Sequence, residues 1–485
     1  MSFRVLHVVS ELAPWSQTGG LADVTAALPA AQVATGAGHV ATLSPLYRET
    51  ARALADAAVA LTPVDTFSFA LPHTILPCQL LRSDGPRGVA NYWLACDELF
   101  DRAGFYGPTH VTAYNDNHIR FAALGVAALR LPVVLGGAID VLHGHDWQAG
   151  FALMMAKLHA GDSIRTTVLT IHNLAFRGLC TRAQYDELGL PASAFNFRQC
   201  EFWGHASMLK AGIAFADAVT TVSPSYADEI LTPQFGEGLD EFLRFDAPRI
   251  VGIVNGIDEQ AWDPSTGAGI AAAFSSQDLS GKALCRQRCI EPFATAVQPE
   301  ELVLGIVARM TEQKGFDIVA DIVPQLASLG ARLVVVGAGE LAIERRFRYL
   351  RDVFSHHVAV TIGFSPQAAR DVYAGCDMFM MPSRFEPCGL GQLYAMRYGT
   401  VPIVHAVGGL RDTVMPVSAD GTRGTGYVMT VASSSQLLDA ITAARVRFSD
   451  KKSWTALMQR GMRRDSSWRQ PATDYVTLYR ALLRR

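Results

Sequence analysis

Residues Pro14–Val24 read PWSQTGGLADV, and they sit between two stretches of different character. Before them runs RVLHVVS (Arg4–Ser10), short and rich in β-branched residues. After them runs LADVTAALPA (Leu21–Ala30), with the spacing and small residues of a helix. Strand, paired glycine, helix is the opening of a βα unit. Gly19 and Gly20 carry no side chain to keep a ligand away from the backbone. The start of a helix leaves N–H groups without partners, so such a turn suits an anion or a sugar.

The same alternation continues along the chain. VLHGHDW, TTVLTIHN and AVTTVS follow in the first half. RIVGIVNGID, LVLGIVAR, ARLVVVGAG, VAVTIGF, MFMMPS and VPIVHAV follow in the second. Continuous apolar runs suit strands buried on both faces of a parallel sheet, and helical stretches between them imply right-handed βαβ units. The expected class is α/β, with doubly wound domains. A chain of 485 residues is too long for one ordinary domain. The pattern weakens between about 262 and 300, and the crossing into a second domain is expected near Ile250. Val476, Leu478, Tyr479, Leu482 and Leu483 give the last segment an apolar helical face.

Composition excludes several functions. The chain is 49% apolar and 18% charged, and Lys plus Arg (42) against Asp plus Glu (45) leaves a net charge of −3. Nothing there attracts nucleic acid. The most apolar region, FAALGVAALRLPVVLGGAIDVL, is interrupted by Arg130, Pro132 and Asp140. It reads as a buried helix followed by a strand, not a membrane span. Eight scattered cysteines without a CxxC pair, and an N-terminus unlike a signal peptide, point to a reducing cytoplasm.

In doubly wound folds ligands collect where strands end and helices begin. In VARMTEQKGFD, Arg309 and Lys314 flank one such turn and can face a diphosphate through charge-assisted hydrogen bonds; the plain alternative is two surface cations. In SRFEPCGLGQLYAMRYG, Glu386 precedes Pro387, which suits a first helical turn. The N–H groups of Cys388, Gly389 and Leu390 are then expected to be free for an anion or sugar hydroxyls. HAVGGLRDTV places Gly408 and Gly409 before another helix. His172 in TIHN ends a strand, where a structural histidine is the commoner outcome. In HGHD, His143 and His145 point to one side of a strand, and a metal would need a third ligand that the sequence does not supply. With no DxD carboxylate pair either, no metal and no cofactor are expected.

Together, TGGLADV, HGHDWQAG, TIHN, VNGID, RMTEQKG, SRFEPCGLGQLYAMRYGT and VGGLRDTV resemble the bacterial glycogen synthases and plant starch synthases, in order and across nearly the whole chain. The resemblance implies the GT-B architecture, two Rossmann-like domains facing across a cleft. It implies an N-terminal domain over 1–249, a sugar-nucleotide domain over 250–465, and a helix over 466–485 packing back on the first. It also implies a glycosyltransferase moving glucose from ADP-glucose to the non-reducing end of an α-1,4-glucan, with retention and without a metal. On these motifs Arg309 and Lys314 match the diphosphate pair, His172 the histidine beside the donor glucose, and Glu386 its carboxylate partner. Cys388, Gly389 and Leu390 match backbone hydrogen-bond donors, and Phe364 the ring stacked on adenine. Asp23, Asp146 and Asn255 match further cleft positions.

One position departs from the family pattern. The motif is Lys-x-Gly-Gly, and here it is Gln17-Thr18-Gly19-Gly20. Gln17 can donate a hydrogen bond but brings no charge, so a weakened or retuned enzyme is expected. Two alternatives stay open: a glucan-binding or regulatory paralogue, and a related enzyme using UDP-glucose.

Overall fold

The β-branched runs of the first half become parallel strands of one nine-stranded sheet. Its order is Ile250–Gly252, Ala218–Thr221, Ile164–Ile171, Ile139–His145, Phe3–Val8, Gly38–Pro45 and Ala90–Ala95, then the antiparallel pair Thr74–Asp84 and Thr62–Leu71. The central strands are buried along almost their whole length, as continuous apolar runs require. The hairpin differs. It is half-exposed, and buried and exposed residues alternate along parts of it, which suits a sheet edge with one face in water.

The runs of the second half form a six-stranded, all-parallel sheet. Its order is Val358–Ile362, Ala331–Gly337, Leu302–Val307, Met378–Met381, Val401–His405 and Tyr427–Met429. Its core gathers Leu304, Ile306, Leu333, Val335, Phe316, Phe347 and Ile441 from strands and covering helices.

The computed structural model describes residues 3–109, 112–363 and 365–484. The chain divides into two compact units, Met1–Gly256 with Trp468–Arg485, and Ile257–Ser467. The crossing therefore comes later than the expected boundary at Ile250. The physical reason is pairing: Ile250–Gly252 is in register with Val219–Thr221, and the N–H of Ile253 donates to Thr221, so these residues belong to the first sheet. At the other end the return falls at Trp468, two residues after the expected 466.

The last helix, Arg469–Leu482, buries Ala472, Tyr475, Val476, Tyr479 and Leu482. That face packs in one cluster with Phe3, Val5, Val24, Leu28, Val141 and Val168 of the first unit. The expected helix after the paired glycine runs Gly20–Ala34, with Gly19 in extended backbone before it. Among the described residues, no helix is long and apolar enough to cross a membrane. The run read as a buried helix and strand folds as Asn117–Val134 and Ile139–His145.

Candidate functional site

In the first unit the Gly-Gly loop is tied down from inside. Glu11, only 3% exposed, accepts from the N–H and the hydroxyl of Thr18, both at 2.6 Å, and from the Tyr106 hydroxyl at 2.6 Å. The Thr25 hydroxyl donates to the Glu11 carbonyl at 2.6 Å. Gln17 lies at the exposed edge and donates to Oδ2 of Asp23 at 3.0 Å. Burial pushes Asp23 up to about 6; the Gln17 hydrogen bond pulls the other way, and the Glu11 charge adds to the rise. A methyl group built on Gly19 would meet nothing within 4 Å, so packing within the fold does not demand glycine there.

Asp146 follows the strand Ile139–His145 in a left-handed backbone conformation, φ 56°, unusual for a residue with a side chain. Its Oδ1 accepts from the N–H of His172 at 2.7 Å and of Asn173 at 3.3 Å. It therefore fixes the end of the neighbouring strand where His172 emerges. Burial pushes Asp146 up to about 7, against those two hydrogen bonds. His172 is partly exposed, and burial pushes its imidazole down to about 3. Asn255 is buried, and among the described residues its Oδ1 has no partner. An unmatched buried carbonyl is costly and marks a place for a ligand or water.

In the second unit three turns meet. Lys314, at the end of the turn after Leu302–Val307, places Nζ 2.6 Å from Oε2 of Glu386. The Ser383 hydroxyl donates to the same oxygen at 3.1 Å. The turns are laced together: the N–H of Arg384 donates to the Gln313 carbonyl at 2.8 Å, and the Gln313 amide to the Phe385 carbonyl at 3.3 Å. The N–H of Gly409 reaches the carbonyls of Glu386 and Pro387 at 3.1 and 3.2 Å. The approach is so close that a Cβ on Gly409 would lie 2.2 Å from the Cys388 carbonyl oxygen. Arg309 is exposed on the same turn as Lys314, with no hydrogen bond or ion pair among the described residues.

The helix after Glu386 starts later than its sequence suggests. It runs Gly391–Arg397 with Leu390 before it, so Pro387 lies in the irregular loop and not in a first helical turn. Gly389, at φ +73°, lets the loop bend left-handed, and Gln392 reaches back to the carbonyls of Cys388 and Gly389 at 3.1 and 2.9 Å. The N–H groups of Gly389 and Leu390 nonetheless find no acceptor among the described residues. Gly408 and Gly409 open the helix Gly408–Thr413. Phe364 lies outside the described residues. Sequence reasoning missed Glu11, Ser383 and Gln392. Each is a common residue in or beside a turn, and its importance comes from a partner group that only the folded loop presents: the Thr18 N–H for Glu11, the Glu386 carboxylate for Ser383, and the Cys388 and Gly389 carbonyls for Gln392.

Residues 4–245 match the starch synthase catalytic domain family, and residues 301–444 match the glycosyl transferases group 1 family. Over 485 residues the chain is 43% identical to a glycogen synthase of Anaeromyxobacter dehalogenans (strain 2CP-1 / ATCC BAA-258), covering 99% of both chains. It is 40% identical over 488 residues to a glycogen synthase of Yersinia enterocolitica, covering 99% of this chain and 100% of that one. The chain belongs to the glycogen and starch synthase family of glycosyltransferases. The catalytic domain of starch synthase IV from Arabidopsis thaliana, solved bound to ADP and acarbose, matches with a TM-score of 0.90 at 28% identity, covering 100% of both chains. A sucrose-phosphate synthase from Thermosynechococcus elongatus shares the fold, with a TM-score of 0.61 at 17% identity. The enzyme thus has the GT-B architecture, two Rossmann-like domains, as its sequence suggested.

Proposed function

We propose that this glycosyltransferase moves glucose from ADP-glucose to the 4-hydroxyl at the non-reducing end of an α-1,4-glucan, with retention of configuration and without a metal. The observation that carries the reading is the Lys314–Glu386 pair at 2.6 Å, with the N–H groups of Gly389 and Leu390 that have no acceptor among the described residues, in a chain similar to glycogen synthases from end to end. The ADP held by the Arabidopsis relative supports an adenine nucleotide as carrier.

Arg309 and Lys314 are assigned to the diphosphate. As the glycosidic bond breaks, charge grows on the departing phosphate, and fixed cations stabilise that charge more in the transition state than in the ground state. Glu386 and the backbone at Cys388, Gly389, Leu390, Gly408 and Gly409 are assigned to the donor hexose. Oε2 of Glu386 already takes hydrogen bonds from Lys314 and Ser383. Those two donors lower its nucleophilicity and favour a role in holding the sugar over attack on it. We therefore read the transfer as front-face, without a protein nucleophile, as the resemblance to the family implies. His172, Gly19, Gly20, Asp23, Asp146, Asn255 and Gln17 are assigned to donor binding, and Phe364 to the adenine. All eight cysteines are buried thiols outside any disulfide, which supports a cytoplasmic enzyme.

The test is incorporation of labelled glucose into glycogen from ADP-glucose and from UDP-glucose. Preference for ADP-glucose is expected. Preference for UDP-glucose overturns the donor assignment. No incorporation from either, with glucan binding intact, favours a non-catalytic paralogue.

A further inference from the structure

Four histidines of the first unit form one hydrogen-bonded row, of which the proposed reaction uses only the end. His7 and His143 are register partners on adjacent strands, and His145 and His172 follow on the same sheet face at two-residue steps. Nε2 of His172 lies 2.9 Å from Nδ1 of His145. Nε2 of His145 lies 3.0 Å from Nδ1 of His7, and Nε2 of His7 lies 2.8 Å from Oε1 of Gln32. From its other side the Gln32 amide donates to the Tyr479 hydroxyl at 3.0 Å. That hydroxyl meets Nδ1 of His143 at 2.6 Å, and Nε2 of His143 meets Oγ1 of Thr170 at 2.6 Å. All of these residues except His172 are fully buried.

The trio His7, His143 and His145 brings its ring nitrogens within 4.8 Å of one another, the spacing of a metal site. Every ring nitrogen of the three is already engaged in a hydrogen bond, so no lone pair is spare for a cation. The row has instead a direction. A neutral imidazole has one N–H and one lone pair. The carbonyl oxygen of Gln32 only accepts, so His7 carries its proton on Nε2 and accepts at Nδ1. His145 then donates from Nε2 and accepts at Nδ1. His172 in turn donates from Nε2, which leaves its Nδ1 a bare lone pair. Among the described residues nothing else reaches that nitrogen. Burial keeps the row neutral: it pushes His7 down to about 4 and His172 to about 3, and holds His143 and His145 well below the usual range.

We propose that Gln32 and Tyr479 are positioning residues that set the tautomer of His172, so that the C-terminal helix keeps Nδ1 of His172 an acceptor for a hydroxyl of the donor hexose. The tautomer follows from the row alone; only the hexose as its partner rests on the proposed function. Without the Tyr479 hydroxyl the Gln32 amide loses the group that fixes its orientation. Turned over, it would donate to His7, reverse every bond in the row, and put the His172 proton on Nδ1.

The test is the two-bond proton–nitrogen spectrum of the full chain labelled with ¹⁵N-histidine, with His172→Asn to assign the signals. His172 is expected as the Nε2–H tautomer in the parent. In Tyr479→Phe and in Gln32→Met, both checked for native melting, it is expected to become mixed or reversed, with kcat/KM for ADP-glucose about five- to tenfold lower. An Nδ1–H or mixed His172 in the parent overturns the proposal, and so does an unchanged tautomer in both folded variants. If neither variant folds, the parent spectrum alone decides. A parent that transfers no glucose refutes the proposed function and leaves the tautomer result standing.

Discussion

Gln17→Lys introduces the charge that the resemblance to the family motif implies at this position, and the structure sets what it can do. The Gln17 amide now donates to Asp23 at 3.0 Å from an exposed position. Asp23, raised by burial from 3.8 to about 6, pays for its charge at neutral pH. A shift of that size corresponds to about 3 kcal/mol against the ionised carboxylate. A folded-state value above the unfolded one means that the parent loses stability as pH rises from about 4 through 6. An ammonium at position 17 lowers the folded value and offsets part of that loss. Because the site is exposed, the recovery is about 0.5–1 kcal/mol, present at pH 7 and absent at pH 4. If the ammonium turns to the sugar nucleotide, it adds a charge-assisted bond worth about 1–3 kcal/mol, or roughly ten- to a hundredfold in kcat/KM. The assays are melting temperature at the two pH values and initial rates with ADP-glucose at saturating glycogen. A variant with an unchanged kcat/KM and no pH-dependent gain in melting temperature refutes the reasoning.

Three further outcomes are expected. Lys314→Met leaves the Glu386 carboxylate, 5% exposed, with Ser383 alone, and should cost about 3–5 kcal/mol in thermal unfolding; adding Glu386→Gln should recover most of that stability but not the activity, and additive losses would show that the two side chains are not coupled. Gly409→Ala drives a Cβ into the Cys388 carbonyl at 2.2 Å, whereas Gly19→Ala meets nothing within 4 Å. The first should lower both melting temperature and ADP binding, the second ADP-glucose binding alone, read by calorimetry; normal binding in Gly19→Ala would remove that loop from the donor site. Asp146 is raised by burial from 3.8 to about 7, so the parent should lose stability as pH climbs from about 4 to 7. Asp146→Asn keeps the acceptor for the His172 N–H and removes that slope, and melting curves that stay parallel across the window would contradict the assignment.

The two sheets were legible because their central strands are continuous apolar runs, and that signal needs no partner to be recognised. Gly38–Pro45, GHVATLSP, gave a weaker one, since its glycine, histidine and serine break the run although the strand is buried between Phe3–Val8 and Ala90–Ala95. The hairpin Thr62–Asp84 was illegible for another reason: at a half-exposed edge its side chains alternate, and alternation was not the pattern of its neighbours. The boundary near Ile250 was misplaced because a three-residue strand looks the same whichever sheet it joins. Within the site, charged and glycine-rich turns were visible as turns. Their cross-links were not, because Glu386 meeting Lys314, or Asp146 meeting His172, spans 72 or 26 residues and is set by sheet order.

The same distinction explains how the chain can carry glutamine where the motif it resembles implies lysine. A loop can depend on a residue for its shape or for its charge. Here the shape rests on Glu11, which is buried and collects the N–H and hydroxyl of Thr18 together with the Tyr106 hydroxyl. Gln17 contributes one exposed hydrogen bond to Asp23 and nothing to that inner scaffold. Exchanging lysine for glutamine at this edge therefore removes a charge while the backbone of Gly19 and Gly20 stays where Glu11 holds it. The converse substitution should be severe: Glu11→Ala removes the buried carboxylate that accepts three hydrogen bonds of 2.6 Å, two from exposed Thr18 and one from half-buried Tyr106, a loss of about 2–4 kcal/mol in stability. If Glu11→Ala melts like the parent and Gln17→Ala does not, the loop is organised from its rim, and the tolerance of glutamine at position 17 needs another cause.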